Sequence, residues 1–246
     1  MFSNILREGR LMIISFRFKV RICLINLVFI LTALVSGCGD GSDHRPEGGE
    51  STVLVSGAPM VGGANGLFFD RDNMLYVANV FGQTISRIDP ESGEVVERLG
   101  RDQGIDASAD DLAIDAFGTL YWTDIIRGLV KGRTSGEAVF TVAQGFPSVN
   151  PITVGDDGRL FFAQCFAGGS NGIYEADPAG VMEPRTIRDG DIDCASNGMD
   201  WWDGVLYAPR WFEGRVVAMD IDSGELTDIT TGWGAPAAVK FNSKAL

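Results

Sequence analysis

From residue 51 onward, the apolar positions fall into short runs separated by turn residues, and the runs recur. One segment reads Asn65-Gly66-Leu67-Phe68-Phe69-Asp70, a turn, then Leu75-Tyr76-Val77-Ala78-Asn79. A second reads Asp110-Asp111-Leu112-Ala113-Ile114-Asp115, then Gly118, then Leu120-Tyr121-Trp122-Thr123-Asp124. A third runs from Asn150 to Gln164 around Gly158, and a fourth from Asn197 to Arg210 around Gly204. Their first residues lie 45, 40 and 47 positions apart, a period that signals stacked units or propeller blades.

Each unit supplies four short β-rich runs. In the first they are 66–70, 75–79, 84–88 and 94–99. The turn before the last run, Asp89-Pro90-Glu91-Ser92-Gly93, has Pro early and Gly late, as turn backbone geometry favours. Four antiparallel strands per unit predict an all-β fold, a β-propeller of four-stranded blades. After the signal segment described below, no long stretch of helical period competes. A fifth unit starts at Ala237 and the sequence stops at Leu246, before the next Leu-Tyr strand. Thr52–Ser56 resembles the last strand of a blade, the usual N-terminal piece of a closing blade. The expectation is an incomplete propeller over 51–246, with four full repeats plus the start of a fifth, derived from a six-bladed parent. A closed ring of four blades is the alternative.

Residues 1–37 have a different pattern. Arg7, Arg10, Arg17, Lys19 and Arg21 precede an apolar run from Ile22 to Val35, which ends in Val35-Ser36-Gly37-Cys38. This is the layout of an export signal closing on a lipobox, with Cys38 as the lipidation site, and Met12 is an alternative start. An uncleaved membrane anchor is the competing reading, but the run is shorter than the ~20 residues a span needs. The Gly-rich stretch behind Cys38, to Glu50, reads as a flexible tether. Gly39 after the Cys points to a cell-envelope location, lipid-anchored in an outer membrane and facing the periplasm.

Charge and rare residues narrow the chemistry. The chain carries 20 Lys and Arg against 33 Asp and Glu, a net charge of −13. Losing the five basic residues and Glu8 of the signal leaves −17. Such acidity argues against nucleic acid as a partner. The only His, His44, lies in the tether, which argues against Ser-His-Asp catalysis and His-bound zinc.

At the starts of the four units stand Asn65, Asp110, Asn150 and Asn197, which predict a polar ring at a channel mouth. Asn also suits turns and strand ends on structural grounds alone. Strand alternation puts the loops after the second strands on the same face, with Phe81, Ile126, Gln164, Phe166, Arg210 and Trp211. Arg210 beside Trp211 pairs a fixed cation with an aromatic platform, suited to a carboxylate-bearing or sugar-like ligand. A packing Trp and a surface Arg are the plain alternative. The same alternation brings Cys165 near Cys194, where a disulfide would staple neighbouring blades in an oxidising compartment.

Asn-Gly-x-x-x-Asp followed by Leu-Tyr-Val-Ala-Asn resembles the senescence marker protein/gluconolactonase family of six-bladed propellers. The blade pattern is shared with NHL-repeat and streptogramin-lyase-like propellers. The resemblance implies a divalent cation, Ca or another, at the channel mouth. Ser196-Asn197-Gly198 matches the family's Ser-Asn-Gly metal motif, and Asn150 falls at the substrate-contacting Asn. Asn65 stands where the family has its early Glu, and Ala237 where it has its late Asp. Asp110 is then the only carboxylate in the ring, and the metal set reduces to Asn65, Asp110 and Asn197, a weak site by charge count. The implied activity is hydrolysis of a lactone or related ester. A non-catalytic propeller that binds a small ligand or a protein is the alternative, and a lyase-like reading, lacking its catalytic His, ranks last.

Overall fold

The computed structural model describes residues 11–15, 63–105, 108–165, 171–190 and 197–241. The predicted lipidation site Cys38, the tether, the Thr52–Ser56 strand and Cys194 lie outside the described residues, as does the predicted signal apart from residues 11–15.

The strands are β1 (Leu11–Ser15), β2 (Ala64–Phe69), β3 (Leu75–Asn79), β4 (Thr84–Ile88), β5 (Val95–Leu99), β6 (Ala109–Ile114), β7 (Leu120–Asp124), β8 (Leu129–Arg133) and β9 (Phe140–Gln144). There follow β10 (Val149–Val154), β11 (Leu160–Gln164), β12 (Gly172–Ala176), β13 (Arg185–Asp189), β14 (Asp200–Trp202), β15 (Val205–Arg210), β16 (Arg215–Met219), β17 (Leu226–Thr231) and β18 (Pro236–Phe241). They form four antiparallel sheets in chain order, β2–β5, β6–β9, β10–β13 and β14–β17. These are the four blades predicted from the repeat. The first strands of successive blades lie side by side, β2 against β6, β6 against β10, and β10 against β14.

The turn between the first two strands repeats its backbone. Gly118, Gly158 and Gly204 take φ of 83°, 82° and 77°, and Asn73 takes 60° at the same place in blade one. Only Gly or Asn enters this left-handed region cheaply, which explains the punctuation of the sequence. Asp70 and Asp115 brace the turn by accepting backbone N–H bonds from Met74 and Thr119.

Packing between blades supplies the core. Leu112, Trp122, Ile85 and Ile105 fill the space between blades one and two. Phe161 and Trp201 stack with ring centres 4.7 Å apart between blades three and four, in one cluster with Cys165 and Met199.

The start of the predicted fifth unit is strand β18. Its antiparallel partner is β1, from Leu11↔Phe241 to Ser15↔Pro236 with a bulge. Residues 11–15 thus take the second-strand place that the sequence after 241 was expected to lack. They belong to the basic part of the predicted export signal, so cleavage before Cys38 would separate β1 from β18.

Candidate functional site

The ring residues sit on a repeated backbone irregularity. Pairing skips a residue between Ala64 and Leu67, between Ala109 and Leu112, and between Val149 and Ile152. Asn65, Asp110 and Asn150 therefore lie on β-bulges, which release a residue from the ladder and re-aim its side chain. The bulge also accommodates Pro151, which has no N–H to give to a ladder. Blade four departs from this pattern. Its first strand is reduced to Asp200–Trp202, and Asn197-Gly198 pairs with β18 instead. The Asn197 N–H donates to Ala237 O at 3.1 Å, and the Val239 N–H to Gly198 O at 3.0 Å.

Side chains join the ring in two pairs. Asn65 Nδ2 donates to Asp110 Oδ1 at 2.8 Å, and Asn150 Nδ2 donates to Asn197 Oδ1 at 2.8 Å. Each of these two amides thus spends one of its N–H groups inside the ring. Asp110 Oδ2 and Asn150 Oδ1 are buried and accept no hydrogen bond. Two more such atoms lie at the same end of the blades, Asn79 Oδ1 and Asp124 Oδ2. Asn79 pairs with Ala64 and Asp124 with Ala109, each next to a ring residue. Asp124 Oδ2 has only a loose ion pair, 3.9 Å from Arg127 Nε. A buried acceptor left without a donor costs about 1–3 kcal/mol, so this end of the fold is set up for something that donates.

The electrostatics agree. Burial pushes the Asp110 carboxyl up to about 7; the Asn65 amide opposes the rise and the Asp111 charge adds to it. Burial likewise pushes Asp111 up to about 6, against the pull of Lys240 and the N–H groups it accepts. Asp111 holds blades together, a role its sequence position did not reveal. Its Oδ2 accepts the Ile152 N–H of the next blade at 3.0 Å. Asp200 does the same one junction later, accepting Thr153 Oγ1 at 3.1 Å and the Phe241 N–H at 2.7 Å. Their only signal in the sequence is an acidic residue inside an otherwise apolar first strand.

The remaining predicted site residues separate. Arg210 ends β15 buried, and its Nη2 donates to Glu213 Oε1 of the following turn at 2.9 Å. Trp211 is half-buried in that turn. Gln164 ends β11 and donates to Pro147 O at 2.8 Å. Cys165 is buried against Met199 just before β14, and its predicted partner Cys194 lies outside the described residues. The described residues contain no group of three or more His, Cys, Asp or Glu poised around a metal. The oxygens of Asp110 and Asn150 do fit a hard cation by donor type, with a single carboxylate to hold it.

No protein-family model and no curated protein matches the chain. Solved structures do. A gluconolactonase from Xanthomonas campestris shares 20% identity with a TM-score of 0.60, over 72% of this chain and 65% of its own. A streptogramin B lyase shares 16% with a TM-score of 0.55, over 70% and 55%. A 6-phosphogluconolactonase-like protein from Bacteroides uniformis shares 14% with a TM-score of 0.51, over 73% and 58%. The chain therefore spans 55% to 65% of the length of these proteins. Likeness at such identities speaks for the fold alone, and the fold is a β-propeller, with gluconolactonase-type propellers among its structural neighbours.

Proposed function

We propose that this protein is an envelope-anchored, gluconolactonase-like propeller that binds a small, hydroxyl-bearing ligand of lactone or sugar type at its channel mouth. The observation that supports it is a pair of buried ring oxygens, Asp110 Oδ2 and Asn150 Oδ1, that accept no hydrogen bond. Ligand hydroxyls supply the donors that these atoms need. Ca²⁺ or another divalent cation, held by Asp110, Asn150 and the amide oxygens beside them, would polarise a lactone carbonyl. Asn65 keeps Asp110 oriented, and the high pKa of Asp110 makes its charge depend on what is bound.

A second reading, a ligand-binding propeller without turnover, is favoured by the ring's single carboxylate and by Asn65 and Ala237 in place of Glu and Asp. Calorimetry and a hydrolysis assay on the full chain with a gluconolactone probe separate the two. Binding that weakens roughly tenfold in Asn150→Ala is expected. Ring opening that stops with chelator and returns with Ca²⁺ marks the enzyme, and binding without ring opening marks the second reading. An absence of any binding would overturn both.

The anchor and the staple belong to the same proposal. Labelled palmitate should enter the wild type and be lost in Cys38→Ala. Exported protein, denatured without reductant, should show no free thiol at Cys165 or Cys194. Two free thiols would refute the staple.

A further inference from the structure

The strand on the far side of β18 falls in a segment with a second predicted task. Strand β1 pairs with β18 from Leu11↔Phe241 to Ser15↔Pro236. Arg7 and Arg10 precede it, and Arg17, Lys19 and Arg21 follow it, ahead of the apolar run 22–35. The ligand reading makes no use of this pairing.

Backbone alternation gives the contribution of β1. The Val239 N–H donates to Gly198 O at 3.0 Å, and the Phe241 N–H donates to Asp200 Oδ2 at 2.7 Å. These two residues therefore turn their donors towards blade four. Successive residues of a strand turn their backbone groups to opposite sides. Ala238 and Lys240 thus turn theirs towards β1, where Ile14 and Met12 stand opposite them. In the four blades the same place is filled by the second strands β3, β7, β11 and β15. Without β1, Ala238 and Lys240 would sit on an open sheet edge, which is a template for pairing with other chains.

We infer that the β1–β18 pairing is a switch between two fates of the chain, retention as a folded, uncleaved protein and export to the envelope. The inference rests on the anchor reading of residues 1–38. In export, the basic residues of the signal stay on the cytoplasmic side, while the chain behind Cys38 crosses. Strands β1 and β18 would then stand on opposite sides of a hydrocarbon layer about 30 Å thick. Hydrogen-bonded strands lie about 4.8 Å apart, so the two states exclude each other. A chain that folds first pins its basic segment to its own sheet, away from the membrane surface. A chain that is exported first loses β1 at cleavage, and its β18 edge stays open.

Two proline substitutions one residue apart, made in the full chain, test this. Both leave the basic residues, the apolar run and Cys38 in place. Ile14→Pro removes an N–H that faces β18. Ile13→Pro removes one on the other side of β1, where no strand pairs among the described residues and proline is tolerated. In hydrogen exchange, the Ala238 and Lys240 amides should be slow in the wild type and in Ile13→Pro, and roughly tenfold faster in Ile14→Pro. The Val239 and Phe241 amides should stay slow in all three, which reports that the domain remains folded. In cells that make the protein, the ratio of palmitate-labelled to unlabelled chain should match the wild type in Ile13→Pro and rise in Ile14→Pro, by up to the same factor. Fast exchange at Ala238 and Lys240 in the wild type, or equal exchange in the two variants, would overturn the strand. Different exchange with equal labelling would overturn its hold on export. Failure of the anchor reading is seen separately, as no label in any of the three chains with the exchange contrast intact, and it overturns the switch as well.

Discussion

Strands β2 and β6 occupy the same place in successive repeats, yet they live in different surroundings. Leu67 and Leu112 are equivalent, each two residues past its ring residue. Leu67 is 45% exposed and Leu112 is 0% exposed. The cause is neighbours rather than pattern. Strand β6 lies between β2 and β10, whereas β2 has β6 on one side and no other first strand against it among the described residues. The same contrast runs through the ring. Asn65 is partly open, and Asp110 beside it is buried and pushed up to about 7. A repeat therefore defines positions, and stacking decides what each position costs.

Substitution of the two leucines tests this most strongly. Leu112→Ala should lower unfolding free energy by about 2–5 kcal/mol, and Leu67→Ala by under about 1 kcal/mol, measured by denaturant titration. Equal losses would mean that β2 is covered as well as β6 is.

Asp110 gives the next largest effect, read as a pH dependence. Its folded pKa lies above the ordinary carboxylate value, so its contribution to stability is fully present below about pH 4 and is lost as pH rises through about 7. Stability of the wild type, with chelator present, should fall across that window by roughly 4 kcal/mol from this group. In Asp110→Asn, which still accepts from Asn65, the fall should shrink to what the other buried carboxylates held above their ordinary value, Asp111 and Asp200, contribute. A profile unchanged by the substitution would show that Asp110 is not desolvated.

The junction itself is broken by Gly66→Ala. A Cβ there would lie 2.5 Å from the Asp111 Cα and 2.8 Å from the Asp110 carbonyl, so backbone must move. A cost of about 1–3 kcal/mol is expected from such overpacking. A neutral result would mean that the first two blades slide apart freely. The smallest effect belongs to Asn65→Ala, which removes one partly exposed hydrogen bond. It should cost about 1 kcal/mol in thermal or chemical denaturation and raise the Asp110 pKa further, because the amide holds that pKa down.

Much of the architecture was legible in the chain. The unit starts, the Leu-Tyr strands and the Gly-containing turns are local features, each dictated by backbone geometry and alternation, and the predicted strand at 75–79 appears with the same bounds. Asn65, Asp110, Asn150 and Asn197 were visible as one set because repeats align equivalent residues. Their pairing was not. Which amide donates to which oxygen depends on the bulges and on how far one blade is turned against the next. Arg210 reads in sequence as a binding cation, and the fold ties it to Glu213 because the turn folds back on the strand end.

The sequence by itself determined the repeat, the all-β class, the acidic surface and the candidate ring, since these follow from composition and periods of a few residues. Only the tertiary structure decided that Asp111 and Asp200 are the links between blades, that β1 lies on β18, and that two buried ring oxygens, Asp110 Oδ2 and Asn150 Oδ1, are left without a donor. Those outcomes rest on contacts between residues some 40 or more positions apart, where burial and a neighbour's backbone set the energy of each polar group.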